Sequence, residues 1–196
     1  LIDEHWAAAR KGKVRTLLVS GEAGIGKSRL IHEFRRSVSL PSHETIETRC
    51  TPDHTNSAFY PVIEFLRRLL QIHDSDSVEG KLDKIAGALA AEVEIVGATQ
   101  LIAALLSIPF EPRYAPLEYP AEKRRQLTLS ALVSWICRET RKAPICLIVE
   151  DVQWIDPSTR EFLNRLIADA ARSPLLVLIT QRSEPMRTPN PGIAAY

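Results

Sequence analysis

The sequence predicts an α/β fold, in which a parallel sheet is covered by helices on both faces. Three observations carry this. Residues 15–20, 145–149 and 175–179 are short apolar runs, as strands buried on both faces require. Between them, apolar residues recur three and four positions apart, the spacing of one helix face. The first run also ends in a glycine-rich stretch that leads straight into a helical pattern, so strand and helix alternate along the chain.

The elements follow in order. Residues 15–20 (RTLLVS) read as a buried strand ending at Gly21, and residues 27–38 as a helix. Residues 44–50 alternate loosely and read as a second, less buried strand, after which Pro52 marks a polar turn over 51–57. The middle of the chain is helical. Val62, Phe65, Leu66 and Leu69 form one stripe, and Leu82, Ile85, Leu89 and Val93 a second. Leu101, Ile102, Leu105 and Leu106 mark a shorter third helix. Pro109, Pro112, Pro116 and Pro120 force a loop, since proline lacks the N–H a helix or strand needs. Leu129, Leu132, Val133 and Ile136 then define a long helix entered after Pro120. Residues 145–149 (ICLIV) are a strand ending in Glu150 and Asp151. Asp156 before Pro157 reads as a helix cap followed by proline at the first helical position. That helix turns Phe162, Leu163, Leu166, Ile167 and Ala170 inward. Residues 175–179 are the fourth strand, and Pro185, Pro189 and Pro191 argue for loop from residue 183 onward.

Composition narrows the function classes. The 196 residues are 45% hydrophobic, enough to bury a core without disulfides or metal, so disorder is excluded as the main state. The formal net charge of +1 argues against gripping nucleic acid or an anionic membrane mainly by charge. No apolar run reaches the length of a membrane span. Cys50, Cys137 and Cys146 are odd in number and far apart, which fits a reduced, cytoplasmic compartment. The five histidines are scattered and suggest no metal centre built from side chains alone. The chain opens without methionine, and its last residues do not read as a finished element, so a piece of a longer protein is expected.

Gly21-Glu22-Ala23-Gly24-Ile25-Gly26-Lys27-Ser28 matches the pattern Gly, four residues, Gly-Lys-Ser/Thr of a phosphate-binding loop. Each residue type has a reason. Glycines let the backbone turn so that N–H groups converge on one anion, and the helix end adds its positive dipole there. Lys27 can reach the β- and γ-phosphates, and the Ser28 hydroxyl can ligate a bridging Mg²⁺. The whole loop through Arg29 is therefore the expected nucleotide-binding segment. Glu150 and Asp151 end a buried strand, where carboxylates cost desolvation. In a parallel sheet the carboxyl ends of strands form the ligand crevice, so Glu150 is expected to bind Mg²⁺ and Asp151 to orient or deprotonate the attacking water. Taken alone, the pair reads equally as an ordinary exposed strand end. Thr180, Gln181 or Arg182 would come near the γ-phosphate, with Arg182 the candidate for stabilising its charge. A solvated arginine is the competing reading. The segment 53–56 (DHTN) could line the crevice, though turn chemistry explains it as well; Trp154 and Asp156 could touch the site, though packing and a helix cap explain them; Arg35-Arg36, Arg67-Arg68 and Arg124-Arg125 read as solvated helix faces. His32 reads as a residue of the helix surface.

The segments GEAGIGKSRL, EDVQWIDPSTREFLNRL and LLVLITQRSEP resemble the AAA-type ATPase module of the STAND signalling ATPases. RCTPDHTNSAFYPVIEFLRRLL and LLSIPFEPRYAPLEYPAEKRRQLTLSALVSWI are similar to the matching stretches of bacterial regulators that join a class III adenylate/guanylate cyclase to an ATPase module and tetratricopeptide-like repeats. The resemblance implies a P-loop NTPase three-layer sandwich. The third, Walker B strand would lie between the second and fourth, and the fourth beside the first. It implies a single core domain over residues 1–196, with a helical insert at about 61–141 and truncation before a fifth strand and lid. It also implies ATP and Mg²⁺ as ligands, attached cyclase, repeat or DNA-binding domains, and a homo-oligomer as a further state. Neither a membrane nor direct nucleic-acid contact is expected. The pair Glu150-Asp151 departs from the commoner Asp-Asp or Asp-Glu, and no arginine finger is assigned. ATP is expected over GTP because no Asn-Lys-x-Asp motif occurs. The expected function is that of an ATP-hydrolysing regulatory module. The alternatives are a non-catalytic nucleotide-binding scaffold and a small-molecule phosphotransferase.

Overall fold

The computed structural model describes residues 1–38, 44–89 and 95–183, apart from the side chains of Val38 and Glu44. The described chain runs α1 (Ile2–Ala9), β1 (Arg15–Gly21), α2 (Lys27–Val38), β2 (Glu44–Arg49), α3 (Tyr60–Leu69), α4 (Val78–Leu89), α5 (Ala98–Leu105), α6 (Ala121–Lys142), β3 (Ile145–Glu150), α7 (Pro157–Asp169) and β4 (Leu175–Arg182). Short 3₁₀ turns at Pro52–His54 and Val152–Trp154 follow β2 and β3. Val93, Pro185, Pro189 and Pro191 lie outside the described residues.

Contacts divide the chain into two units, one of Leu1–Pro61 with Glu139–Tyr196, the other Val62–Arg138. The first holds a four-stranded parallel sheet in the order β1-β4-β3-β2. Successive strands run parallel, so each must be reached by a crossover, and the intervening helices supply them. This is the strand order the resemblance implied. Side chains alternate across the sheet. Leu17, Cys146, Ile148, Leu176 and Leu178 pack on one face with Trp6 and Ala9 of α1 and Ile31 and Phe34 of α2. On the other face Leu147, Val149, Val177 and Ile179 are equally buried. Burial on both faces explains why β3 and β4 read as unbroken apolar runs rather than alternating ones.

Helix α1 has no counterpart in the sequence reading. It is only eight residues long, has no side-chain cap, and buries just Trp6 and Ala9. Such a helix is marginal alone and is held by its tertiary contacts. Helix α7 starts as expected: the Asp156 side chain caps it, and Pro157 follows.

The second unit is helical. Its helices bury Val62, Phe65 and Leu66 on α3, Leu82, Ile85 and Leu89 on α4, Leu101 and Ile102 on α5, and Leu129, Leu132, Val133 and Ile136 on α6. These are the predicted stripes, with Leu69 and Leu105 only half-buried. Residues 109–120 form no helix or strand. Buried Arg138 donates to the carbonyl oxygens of Leu89 and Ala88 at the end of α4, where helix carbonyls lack intrahelical partners. Among the described residues, no helix is long and apolar enough to cross a membrane.

Candidate functional site

The loop from Gly21 to Ser28 leaves the carboxyl end of β1 and enters α2. Gly24 and Gly26 sit at φ +80° and +101°, a backbone that side-chain-bearing residues rarely adopt. An added Cβ there would meet no atom within 4 Å, so the backbone conformation, not crowding, demands glycine. Gly21 is different: a Cβ would come within 3.0 Å of the Ile25 side chain. Lys27 folds back over the loop, and its Nζ donates to the carbonyl oxygens of Gly21 (2.7 Å) and Glu22 (2.8 Å). The first turn of α2 carries no acidic residue. Lysine charge and helix dipole therefore reinforce each other at an exposed loop.

The strand order brings the other predicted residues to the same sheet end. In register, Gly21 pairs with Arg182, and Glu150 pairs with Arg49. Ser28 Oγ donates to Glu150 Oε2 at 3.3 Å, joining the loop to the acidic end of β3. Burial pushes the Glu150 carboxyl above the usual range; Arg49 opposes this, Glu47 adds to it, and the Ser28 hydroxyl opposes it. Glu47 is itself paired with Arg35 of α2 at 2.5 Å.

Asp151 has φ +57° and ψ +45°. The left-handed region costs a non-glycine residue on the order of 1 kcal/mol, and Asp is among the residues that tolerate it best. Three contacts hold it. Its N–H donates to Thr180 Oγ1 at 3.1 Å, Arg49 Nε donates to Oδ2 at 3.0 Å, and Gln153 Nε2 lies 3.3 Å from Oδ1. Thr180 is thus buried and engaged with the backbone of Asp151. Arg182 is exposed, and its backbone N–H donates to Gln153 Oε1 at 3.1 Å. The next N–H, of Ser183, donates to the carbonyl of Gly21 at 3.1 Å.

Arg49, Gln153 and Glu47 were not singled out from the sequence. Arg49 meets Asp151 across the sheet, Glu47 meets Arg35 of α2, and Gln153 joins nearby Asp151 to Arg182 of β4, so most of these partners meet only in the fold. The resemblance did place β2 beside β3, so the position of Arg49 at the strand end was the available signal. Of the weaker candidates, Asp156 is buried and its Oδ1 accepts from Ser158 N, Thr159 N and Phe59 N, each at 3.0 Å. Phe59 is another residue with positive φ (+60°), fixed here by that bond. His54 stacks on Tyr60, their ring centroids 3.5 Å apart, and Trp154 is half-buried. Arg29 and His32 are exposed on α2.

Among the described residues, no group of three or more His, Cys, Asp or Glu side chains is set to hold a metal. A cation here would have one carboxylate and one hydroxyl from the chain and would need further oxygens from a ligand. That hard, incomplete donor set fits Mg²⁺ shared with phosphate oxygens rather than a caged transition metal.

Comparison with known sequences agrees with this geometry. The chain is 30% identical over 189 residues to an uncharacterized protein of Rhizobium meliloti (strain 1021). The match covers 92% of this chain and 17% of that relative's length. The sequence profile of the AAA ATPase domain matches residues 1–178, which takes in the glycine loop, the acidic end of β3 and half of β4. By that match the chain belongs to the AAA ATPase domain family, which implies ATP and a divalent metal as its ligands.

Proposed function

We propose that the chain is an ATP-binding and ATP-hydrolysing module that regulates a larger signalling protein. The observation that carries this reading is the 3.3 Å contact between Ser28 Oγ and Glu150 Oε2, with Asp151 the next residue along. It joins a hydroxyl and a carboxylate suited to a hard divalent cation at the start of α2, with a second carboxylate on the next residue of the chain. The β–γ phosphoanhydride bond of ATP breaks as its terminal phosphoryl group is passed to water, leaving ADP and inorganic phosphate. Lys27 exchanges its bonds to the Gly21 and Glu22 carbonyls for phosphate oxygens. The loop's backbone N–H groups and the N-terminus of α2 face the same charge. Ser28 and Glu150 would hold Mg²⁺, which would neutralise phosphate charge. Asp151 orients a water molecule and takes up its proton. Arg182, beside Gly21 in the sheet, meets charge at the terminal phosphate.

The small share of its relative's length that this chain spans supports a module inside a longer protein. Cyclase, repeat or DNA-binding neighbours, a homo-oligomer and a cytoplasmic setting belong to the same proposal. Direct binding of nucleic acid is no part of it. A second reading, a nucleotide-holding scaffold without turnover, draws support from the 3.0 Å ion pair that engages Asp151 with Arg49.

Phosphate release by the full-length protein and its Lys27→Ala and Asp151→Asn variants separates the two. Hydrolysis predicts a loss on the order of 10²-fold or more in each variant. Equal background rates in all three proteins would leave the scaffold reading.

A further inference from the structure

The side chain of Gln153 bridges two residues that come from different strands. Its Oε1 accepts from the Arg182 backbone N–H at 3.1 Å, and its Nε2 lies 3.3 Å from Asp151 Oδ1. The amide orientation follows from its partners. A backbone N–H can only donate, and a carboxylate can only accept, so the oxygen must face Arg182 and the nitrogen Asp151. Glutamine is suited to this position. Glutamate would set a second negative charge against Asp151, and asparagine is one methylene shorter.

The bridge lies in a continuous chain of contacts. Arg182 pairs with Gly21, the first residue of the glycine loop, and Ser183 N–H donates to the Gly21 carbonyl. Of the other anchors of Asp151, Thr180 of β4 accepts from its N–H rather than holding its carboxylate, and Arg49 on Oδ2 comes from β2. Gln153 alone among these three joins the carboxylate to the residue beside Gly21.

We propose that Gln153 is a positioning residue: its amide couples the end of β4 to the Asp151 carboxylate, so that a change at the glycine loop resets the carboxylate's direction. A carboxylate that is held loosely loses rate without losing ligand, because misplacement near 1 Å already costs about 10²-fold in a catalytic group. The kinetic consequence rests on the ATPase reading. The structural coupling does not.

The test therefore has two arms. In the first, ¹⁵N NMR of the nucleotide-free chain follows the Arg182 backbone amide. Asp151→Asn is expected to shift that amide, and in a Gln153→Ala background the same substitution is expected to leave it in place. An Arg182 shift of equal size with and without Gln153 would overturn the coupling. In the second arm, Gln153→Ala and the near-isosteric Gln153→Glu are each expected to lower kcat on the order of tenfold or more, with KM for ATP within about twofold. Gln153→Ala added to Asp151→Asn is expected to cost nothing further. Wild-type kcat in Gln153→Glu, or a purely KM effect, would overturn the positioning role. The kinetic arm uses the full-length protein; if its wild type releases no phosphate, the ATPase reading falls by itself, and the NMR arm still decides the coupling. If Gln153→Ala does not fold, Gln153→Met, which can make neither bond, takes its place in both arms, and an unchanged Arg182 response there would overturn the bridge.

Discussion

Burial pushes the thiols of Cys50 and Cys146 up to about 12, with Asp156 and then Asp151 adding to the effect at Cys50. At pH 8 only about one thiol in 10⁴ would be ionised at such a value. Only the thiolate is nucleophilic, so both cysteines are expected to resist alkylation in the native chain and to react rapidly in denaturant. Mass spectrometry after iodoacetamide checks this, with native labelling expected far slower than that of an unperturbed thiol at the same pH and without a plateau in the ordinary thiol range. Rapid native labelling of Cys146 at pH 8 would mean that β3 is not buried as described. Asp151 raises a separate issue at this scale. Asparagine tolerates the left-handed backbone as aspartate does, so Asp151→Asn removes charge with little added strain, whereas alanine would confound the two. Lys27, Ser28, Glu150 and Asp151 were legible in the sequence because their pattern is local: a glycine loop, and acids at the end of an apolar run. Arg49 and Gln153 were not, and Thr180 was placed near the site without its bond to the Asp151 N–H, because those contacts depend on how the strands are arranged.

Helix α7 shows how one side chain organises an element. Asp156 Oδ1 satisfies two N–H groups of the first turn and the N–H of Phe59 on the loop after β2. Asp156→Ala removes the cap, worth about 1 kcal/mol, and strands a buried N–H at a further cost of about 1–3 kcal/mol. A loss of about 2–4 kcal/mol in urea denaturation is therefore expected, with Asp156→Asn losing clearly less because it keeps the Oδ1 acceptor. Equal losses in the two variants would show that the charge, not the cap, matters. The cap itself was legible, since Asp-Pro ahead of an apolar stripe is a helix start. Its second duty at Phe59 was not, because residues 59 and 156 meet only in the fold. Periodicity found the helices of the second unit and missed α1 for one reason. A stripe stands out when several large apolar residues share it: α5 is as short as α1 but carries Leu101, Ile102 and Leu105, whereas Ile2–Ala9 buries only Trp6 and Ala9.

At the scale of the molecule, a net charge of +1 is compatible with an anion site because the positive potential is local, made by Lys27, Arg182 and the start of α2. The two-face burial of the sheet could be read from unbroken apolar strands. The order of those strands could not, and it came only with the family resemblance. That order is what brings Arg182 beside Gly21 and Arg49 beside Glu150. The chain spans 17% of the length of its Rhizobium relative. The central claim is that this sheet end breaks down the nucleotide it binds. Single-turnover conversion of γ-³²P-ATP by an excess of the protein with Mg²⁺ tests it most directly. The account predicts conversion by the wild type, and an Asp151→Asn variant that retains bound ATP but converts it on the order of 10²-fold more slowly or less. Conversion by Asp151→Asn at the wild-type rate, with ATP bound equally well, would contradict it.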